Sequence, residues 1–121
     1  MGIVVEQGEK IVAFAIFKIN RDEVFLHNCA VDPDFRRMGV GSQMVTWFIA
    51  KLSPCKRTKI TLLIRETNLP AQLFFKDRSF RAVKVLREHY EDTGEDAFTM
   101  EYQLQSVWVS EKIEDRMRFS R

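Results

Sequence analysis

A strand–helix–strand pattern in the middle of the chain limits its possible folds most strongly. Residues 24–31 have the composition of a strand, and residues 58–65 (TKITLLIR) have that of a buried strand. Between them, residues 41–52 place apolar side chains at i, i+1, i+4, i+5 and i+8, which form one face of a helix. A helix that connects two strands in this way joins parallel neighbours through a right-handed crossover. We therefore predict that residues 24–31 and 58–65 form a parallel pair.

The first third of the chain predicts an antiparallel meander. Residues 3–6 and 11–19 are strand-like, and short turn-like segments separate them from each other and from residues 24–31. Short connections of this kind join antiparallel neighbours.

The second half of the chain adds a helix and two strands. Asn68 is suited to be the N-cap of a helix, and Pro70 fits its first turn. Residues 80–86 and 97–104 are strand-like, and residues 106–121 are a C-terminal tail whose weak apolar spacing allows a short amphipathic helix. The predicted fold class is α+β, with a mixed, mostly antiparallel sheet that contains one parallel pair and is flanked by helices.

Composition excludes several classes of protein. The 121 residues are 45% hydrophobic and 30% charged, which fits a single soluble domain. The net charge of +2 is too small to favour nucleic acid, and the longest apolar run, residues 11–17, is too short for a membrane. Cys29 and Cys55 lack a C-x-x-C spacing, and His27 and His89 lack a metal-ligand spacing. We expect a reduced, cytoplasmic chain without a metal.

The segment VDPDFRRMGVGS, residues 31–42, joins a predicted strand to a predicted helix. The first amides of a helix have no partner within the helix, and Arg36 and Arg37 add positive charge beside them. The segment therefore suits an anion such as a diphosphate; the alternative is a glycine-containing loop with two solvated arginines. A P-loop is excluded because no lysine precedes Ser42, and a dinucleotide fingerprint would need a glycine in place of Met44.

Three sequence blocks resemble the GNAT acyltransferase superfamily. VDPDFRRMGVGSQMV resembles its acetyl-coenzyme A signature, R/Q-x-x-G-x-G/A, through Arg36, Gly39 and Gly41. NLPAQLFFKDRSF resembles N-x-x-A-x-x-L-Y-x-x-x-G-F, with matches that include Asn68 and Ala71. REHYEDTGEDAFTM resembles the final part of ribosomal-protein N-terminal alanine acetyltransferases and their relatives. The blocks occur in the family's order within about residues 10–104.

The resemblance implies a site for acetyl-CoA as co-substrate. The sheet would open between the two parallel strands, and the pantetheine would lie in that gap. Its diphosphate would bind the amides of residues 37–42. The implied coenzyme-binding residues are Ala30, Val31, Arg36, Arg37, Met38, Gly39, Val40, Gly41, Ser42, Asn68 and Phe75.

Three residues depart from the family pattern. Phe75 replaces a tyrosine that acts as an acid, Leu63 replaces a glutamate of the nearest relatives that acts as a base, and Ser79 replaces a glycine. As residue types, Phe75 and Leu63 also fit simple core packing. The catalytic residue is therefore unknown. Tyr90 is a candidate for the acceptor site or for proton transfer, and the alternative is a packed loop tyrosine.

The resemblance implies an N-acetyltransferase that acts on the α-amine of a protein or peptide, such as a ribosomal protein. An α-amine has a pKa of about 7.7–8.0, so a useful fraction is neutral near pH 7 without a strong base. The acidic loop, with Glu91, Asp92, Glu95 and Asp96, could attract this amine or could simply be solvated. The alternative function is a catalytically impaired acyl-CoA-binding or assembly module.

The beginning of the chain also departs from the family. Members begin with a strand and two helices, whereas this chain starts almost at once with the second strand of the pattern. We therefore expect residues 1–121 to be a single, partial N-acetyltransferase domain that is N-terminally truncated. An uncovered sheet face or edge would favour self-association, for example as a homodimer.

Overall fold

The computed structural model describes residues 1–36 and 38–104 of the chain. Arg37 and the predicted tail, residues 106–121, lie outside the described residues, as does residue 105. In chain order the elements are β1 (Gly2–Gln7), β2 (Lys10–Ile19), β3 (Glu23–Val31), a 3₁₀ turn (Pro33–Phe35), α1 (Val40–Ile49), β4 (Lys59–Arg65), α2 (Leu69–Lys76), β5 (Arg81–Leu86) and β6 (Ala97–Gln103).

The described strands form one six-stranded mixed sheet in the order β1-β2-β3-β4-β6-β5. β3 and β4 pair in parallel, across the crossover that contains α1. The other four pairs of neighbours are antiparallel. This arrangement confirms the predicted fold class, including the parallel pair.

The parallel pair opens into a gap along its length. The pairing of β3 with β4 extends as far as Leu26 and Leu62, although β3 continues to Val31 and β4 to Arg65. At the same level, His27 is an extra residue in the pairing of β3 with β2, which makes a β-bulge. Because a bulge bends and twists its strand, it directs the end of β3 away from β4.

Both helices pack on one face of the sheet. Phe17 of β2 contacts Trp47 and Phe48 of α1 in edge-to-face geometry, with ring centroids 5.5 and 5.0 Å apart. Phe75 of α2 meets Phe80, just before β5, in the same geometry at 5.1 Å. These aromatic side chains connect α1 and α2 to the core of the sheet.

The opposite face of β1 and β2 carries exposed apolar side chains. Val4 and Phe14 are cross-strand partners, and Ile16 lies two residues along the same face. Their exposed fractions are 53%, 36% and 46%. They alternate with buried residues such as Ala15 and Phe17, as the two-residue period of a strand requires.

The helix ends follow local signals in the sequence. At α2, the Oδ1 atom of Asn68 accepts a hydrogen bond from the amide of Ala71 at 3.3 Å, which confirms the predicted N-cap. α1 ends at Ile49, three residues before the predicted end at Leu52. The amides of Lys51 and Leu52 bond to carbonyls three residues back, so the last turn tightens and the α-helix stops earlier.

Candidate functional site

A cavity of about 630 Å³ lies where the parallel strands separate. It is bounded by the end of β3, the apolar side of α1 and the start of α2. Its lining residues are Leu26, Cys29, Ala30, Val31, Arg36, Gly41, Met44, Val45, Phe48, Asn68, Pro70, Ala71, Phe74 and Phe75. The volume and the mostly apolar lining with a few polar groups are typical of small-molecule sites.

The cavity brings together six of the predicted coenzyme residues, which are Ala30, Val31, Arg36, Gly41, Asn68 and Phe75. Met38 and Val40 instead line a groove beside β1, and Ser42 lines a groove between α1 and the turn after α2. Arg37 lies outside the described residues. The predicted site thus comprises a cavity and an adjoining helix N-terminus.

The N-terminus of α1 presents main-chain donors. Gly39 has φ +82°, and within the described residues no side chain caps the helix there. The first helical hydrogen bond runs from the amide of Gln43 to the carbonyl of Gly39, at 3.0 Å. The amides of Val40, Gly41 and Ser42 therefore have no partner within the helix. Among the described residues, a Cβ on Gly39 would meet nothing within 4 Å, so the space beside Gly39 itself is open.

The 3₁₀ turn connects β3 to this helix N-terminus. The Oδ1 atom of Asp32 accepts a hydrogen bond from the amide of Asp34 at 2.9 Å, and Lys10 lies 3.5 Å from the other oxygen. The bond from the Asp34 amide is the main cause of a lowered pKa of Asp32, and the charge of Lys10 adds to it. Arg36 folds back and donates from Nε to the carbonyl of Val31 at 3.3 Å, which keeps it beside the cavity.

Two side chains of the lining bear on catalysis. Phe75 is 5% exposed and packs edge-to-face on Phe74 and Phe80. Because a phenyl ring has no acidic proton, this position cannot supply the acid. Burial raises the pKa of the Cys29 thiol, which favours the neutral form over the thiolate. Cys29 therefore acts as a small apolar side chain in the wall.

A cluster of charged and polar side chains lies at the end of β4, outside the cavity lining. Arg65 makes a two-bond contact with the carboxylate of Asp92, at 3.1 and 3.0 Å, and contacts Glu95 at 2.9 Å. The hydroxyl of Thr67 also donates to Glu95. The Thr67 bond, followed by those from Arg65 and Thr93, lowers the pKa of Glu95 to about 2.

This cluster shows that much of the charge of the acidic loop is paired within the chain. Asp92 and Glu95 are already paired with Arg65, and Asp96 is paired with Arg87 at 3.3 Å. The charge of these three carboxylates is therefore partly neutralised, although the Asp92 side chain is still 63% exposed. Tyr90 lies in the same loop with its ring 4.0 Å from the Arg65 guanidinium, and it does not line the cavity.

Sequence reasoning missed two arginines. Arg65 organises the acidic loop, and Arg78 joins α2 to Ser42 through two hydrogen bonds. The one available signal was an arginine at the end of a buried strand, followed about 30 residues later by a run of carboxylates. For Arg78 the sequence offered no signal, because its partner is 36 residues away.

Two further features, a metal-binding cluster and a membrane-spanning helix, are absent from the part of the chain that the structure describes. There, no group of three or more histidine, cysteine or acidic side chains could hold a metal ion. No described helix has the length and apolarity that crossing a membrane requires.

The fold and the glycine-containing helix N-terminus are those of an acetyltransferase family. The sequence profile of the Acetyltransferase (GNAT) family matches residues 1–80, and the chain belongs to this family.

Among its relatives are N-terminal acetyltransferases. The chain is 33% identical over 96 residues to the [ribosomal protein bS18]-alanine N-acetyltransferase of Escherichia coli K12, which covers 78% of this chain and 65% of that protein. It thus spans just under two thirds of that relative. The crystal structure of the Escherichia coli ribosomal-protein-S18-alanine N-acetyltransferase superposes with TM-score 0.75, at 30% identity over 86% of this chain and 68% of that one. Ard1 from Thermoplasma volcanium superposes with TM-score 0.71, at 31% identity over 80% and 66%.

Proposed function

We propose that this chain is an acetyl-CoA-dependent N-acetyltransferase that acts on the α-amine of a protein or peptide. The observation that carries the proposal is the cavity that the end of β3 forms with α1 and α2, beyond the last residues paired with β4, and that adjoins the unpartnered amides at the start of α1. A thioester carrier with an extended arm and a diphosphate would suit this pair of features: a cavity beside an unpaired strand edge and a helix end with unpartnered amides.

The coenzyme would bind in three parts. Ala30 and Val31 lie beyond the last parallel pair, so β3 has no strand partner there on its β4 side. Apart from the Val31 carbonyl, which accepts a hydrogen bond from Arg36, main-chain groups on that side would be available to the amides of pantetheine. The amides of Val40, Gly41 and Ser42 would bind the diphosphate. Asn68, which caps α2 through its Oδ1 atom, retains its NH₂ group for the coenzyme beside the cavity.

The relatives support the choice of acceptor. The Escherichia coli proteins are named as N-acetyltransferases of an alanine of a ribosomal protein. We therefore infer an exposed protein N-terminus as the acceptor and a ribosomal protein as the first candidate. The two free cysteines among the described residues suit the reducing conditions of the cytoplasm, where we place this reaction.

The proposed reaction can proceed, at a reduced rate, without an acid or base from the protein. The neutral α-amine attacks the thioester carbonyl, a C–N bond forms, the C–S bond breaks and the thiolate departs, while the amine loses a proton to solvent. About a tenth of an α-amine is neutral at pH 7, and a thiol of pKa about 8.5 is a good leaving group. Phe75 and Leu63 supply neither acid nor base, which would cost roughly 10²–10⁴ in rate.

The loop after β5 would form part of the acceptor side. Tyr90 is held against Arg65, and the loop main chain is closed by a hydrogen bond from the Gly94 amide to the Tyr90 carbonyl at 2.7 Å. We propose that Tyr90 contacts the incoming peptide rather than the coenzyme, because it lies outside the cavity lining.

The test uses matched peptides and acetyl-CoA. One peptide begins with a free alanine, and the second has the same sequence with a blocked N-terminus and an internal lysine. We expect acetyl transfer to the first, detected by mass spectrometry, and at least a hundredfold slower transfer to the second, because less than about one lysine in a thousand is neutral near pH 7. Equal rates on the two peptides would contradict the α-amine assignment.

The second candidate function is an acyl-CoA-binding module that has lost catalysis. Phe75, buried at the position of the family's acid, favours it. At a hundred times its Kd, coenzyme A would then stabilise the folded chain by about 2.7 kcal/mol and so raise its melting temperature. No acetyl transfer would occur. Phe75→Tyr distinguishes the two functions: a gain in kcat with little change in coenzyme affinity indicates an impaired enzyme, and an absence of transfer by both proteins indicates a binding module. Phe80→Tyr, at the aromatic neighbour of Phe75, is the matched control.

A further inference from the structure

Arg78 connects α2 to the first turn of α1. Its Nε and Nη2 atoms donate to the Oγ atom of Ser42 at 3.1 and 2.5 Å. Its Nη1 atom donates to the carbonyl of Phe74 at 2.9 Å, and its guanidinium lies 3.7 Å from the centre of the Phe74 ring. Three of these contacts are short and partly buried, so the guanidinium is fixed in both position and orientation.

The location of this positive charge is unusual. Ser42 is the third residue of α1, so Arg78 lies beside the end of the helix where the dipole already disfavours a cation. Among the ion pairs of residues 1–36 and 38–104, none involves Arg78. A guanidinium without a carboxylate partner at a helix N-terminus is favourable when an anion binds next to it.

The hydrogen bonds of Arg78 also determine what Ser42 can do. A hydroxyl has one donor and two acceptor positions, and both bonds from Arg78 use Ser42 as the acceptor. The Ser42 O–H therefore remains available as a donor. Its oxygen lies next to a full positive charge, which makes that O–H a stronger donor to an anion.

We propose that Arg78 is a positioning residue for the diphosphate of the coenzyme, and that it acts through Ser42. This inference rests on the proposed function. Arg78 orients the Ser42 O–H as a donor that adds to the amides of α1, and it holds α2 at the distance that joins the cavity to this helix end. The arrangement makes the site selective for carriers that contain a diphosphate.

The test compares two ligands on one set of variants. Calorimetric titration measures the affinity of each protein for coenzyme A and for pantetheine, which lacks the diphosphate. Arg78→Ala should weaken coenzyme A binding by about tenfold to a hundredfold, since bonds to charged groups are among the stronger ones. Pantetheine affinity should change less than twofold. Arg78→Lys keeps the charge and loses the planar fork, so its affinity for coenzyme A should lie between those of Arg78→Ala and the wild type.

Ser42→Ala tests the same contact from its other side. It removes the hydroxyl and leaves the guanidinium, so it should give the same selective loss even if Arg78→Ala folds poorly. The combined variant should bind coenzyme A about as weakly as the weaker single variant, because the two residues act together. Arg81→Ala removes an exposed arginine three residues further on and is the charge-matched control; it should leave both affinities unchanged.

Three outcomes would overturn the inference. The first is wild-type affinity for coenzyme A in both Arg78→Ala and Ser42→Ala. The second is an equal loss for coenzyme A and pantetheine, which would indicate a general structural role. The third is a wild-type protein that binds neither ligand, which would remove the proposed function together with this inference. In the first two outcomes the wild type still binds coenzyme A, so the proposed function remains.

Discussion

The ring of Phe74 occupies the space into which a side chain at Gly41 would project. A Cβ on Gly41 would lie 2.8 Å from the Cζ atom of Phe74 and 2.9 Å from Cε1. The ring cannot move freely, because the Arg78 guanidinium lies over it at 3.7 Å. Glycine at position 41 is therefore required by helix packing, in addition to any requirement of a ligand.

This contact predicts a coupled pair of substitutions. Gly41→Ala should lower the free energy of unfolding by about 1–3 kcal/mol, since it overpacks a filled space. In a Phe74→Leu background, the smaller side chain should accommodate the methyl group, and the same change should cost clearly less. Urea denaturation of the two single variants and the double variant measures the coupling. Additive effects would show that the ring moves aside without cost.

A second prediction concerns the end of α2. The amide of Phe80 bonds to the carbonyl of Phe75, and that of Ser79 bonds to Lys76, at 3.0 and 3.1 Å. This is the Schellman pattern, in which the residue at the position of Ser79 adopts a left-handed conformation. Ser79 has φ +71°, which glycine adopts more easily. Ser79→Gly should raise the free energy of unfolding by about 1 kcal/mol.

The control for this substitution is Ser53→Gly. The described non-glycine residues of positive φ are Ser79 and Glu88, so Ser53 has no such strain to relieve. Ser53→Gly should therefore not raise the free energy of unfolding. Chemical denaturation of both variants measures the two changes in the free energy of unfolding. Equal effects at the two serines would contradict the assignment of backbone strain to Ser79.

The third prediction separates backbone strain from ligand binding at Gly39. Gly39 and Gly94 have φ +82° and +73°, and a Cβ on either would meet nothing within 4 Å. Alanine at each position should therefore cost about the same free energy of unfolding, roughly 1–2 kcal/mol. Gly39→Ala alone should also weaken coenzyme A binding, because its methyl group lies at the entrance to the α1 amides. Equal coenzyme affinities for the two variants would contradict this account.

The fourth prediction is a pH dependence of stability from Glu95. Hydrogen bonds from Thr67, Arg65 and Thr93 lower its pKa from 4.5 to about 2 in the folded chain. A lowered folded-state pKa contributes stability that is fully present above pH 4.5 and is lost as the pH falls from there toward 2. Glu95→Gln should flatten the pH dependence of unfolding in this window, as measured by urea titrations at several pH values.

Glu91→Gln is the control for Glu95. Glu91 is exposed and is absent from the salt bridges of the described residues. Its replacement should leave the acid dependence nearly unchanged. The wild type should lose more stability than Glu95→Gln as the pH falls from 4.5 to 2. Equal losses in the two proteins would show that the loop contacts do not persist in solution.

Local sequence patterns predicted the elements because each depends on neighbouring residues. The N-cap at Asn68 is an example, since both partners lie within four residues. The parallel pairing of β3 with β4 followed from the handedness of a crossover. The resemblance led to six of the fourteen cavity residues, whereas the position at which the pairing ends, after Leu26 and Leu62, came from the structure.

The contacts that composition and spacing missed are long-range. The bulge at His27 depends on the register between two strands, which no single strand reveals. Arg78 and Ser42 are 36 residues apart, and Arg65 and Asp92 are 27 apart. Such pairs become visible only when the sheet has placed their elements together. The predicted homodimer, which depends on surfaces outside these contacts, stays a prediction.

The central claim is that the first-turn amides of α1 bind the diphosphate of the coenzyme. The most direct measurement follows the backbone amide resonances of ¹⁵N-labelled protein during titration with coenzyme A and, separately, with pantetheine. We expect the Val40, Gly41 and Ser42 amides to shift strongly with coenzyme A and weakly with pantetheine. Unchanged resonances at these three residues, in a protein saturated with coenzyme A, would contradict the account.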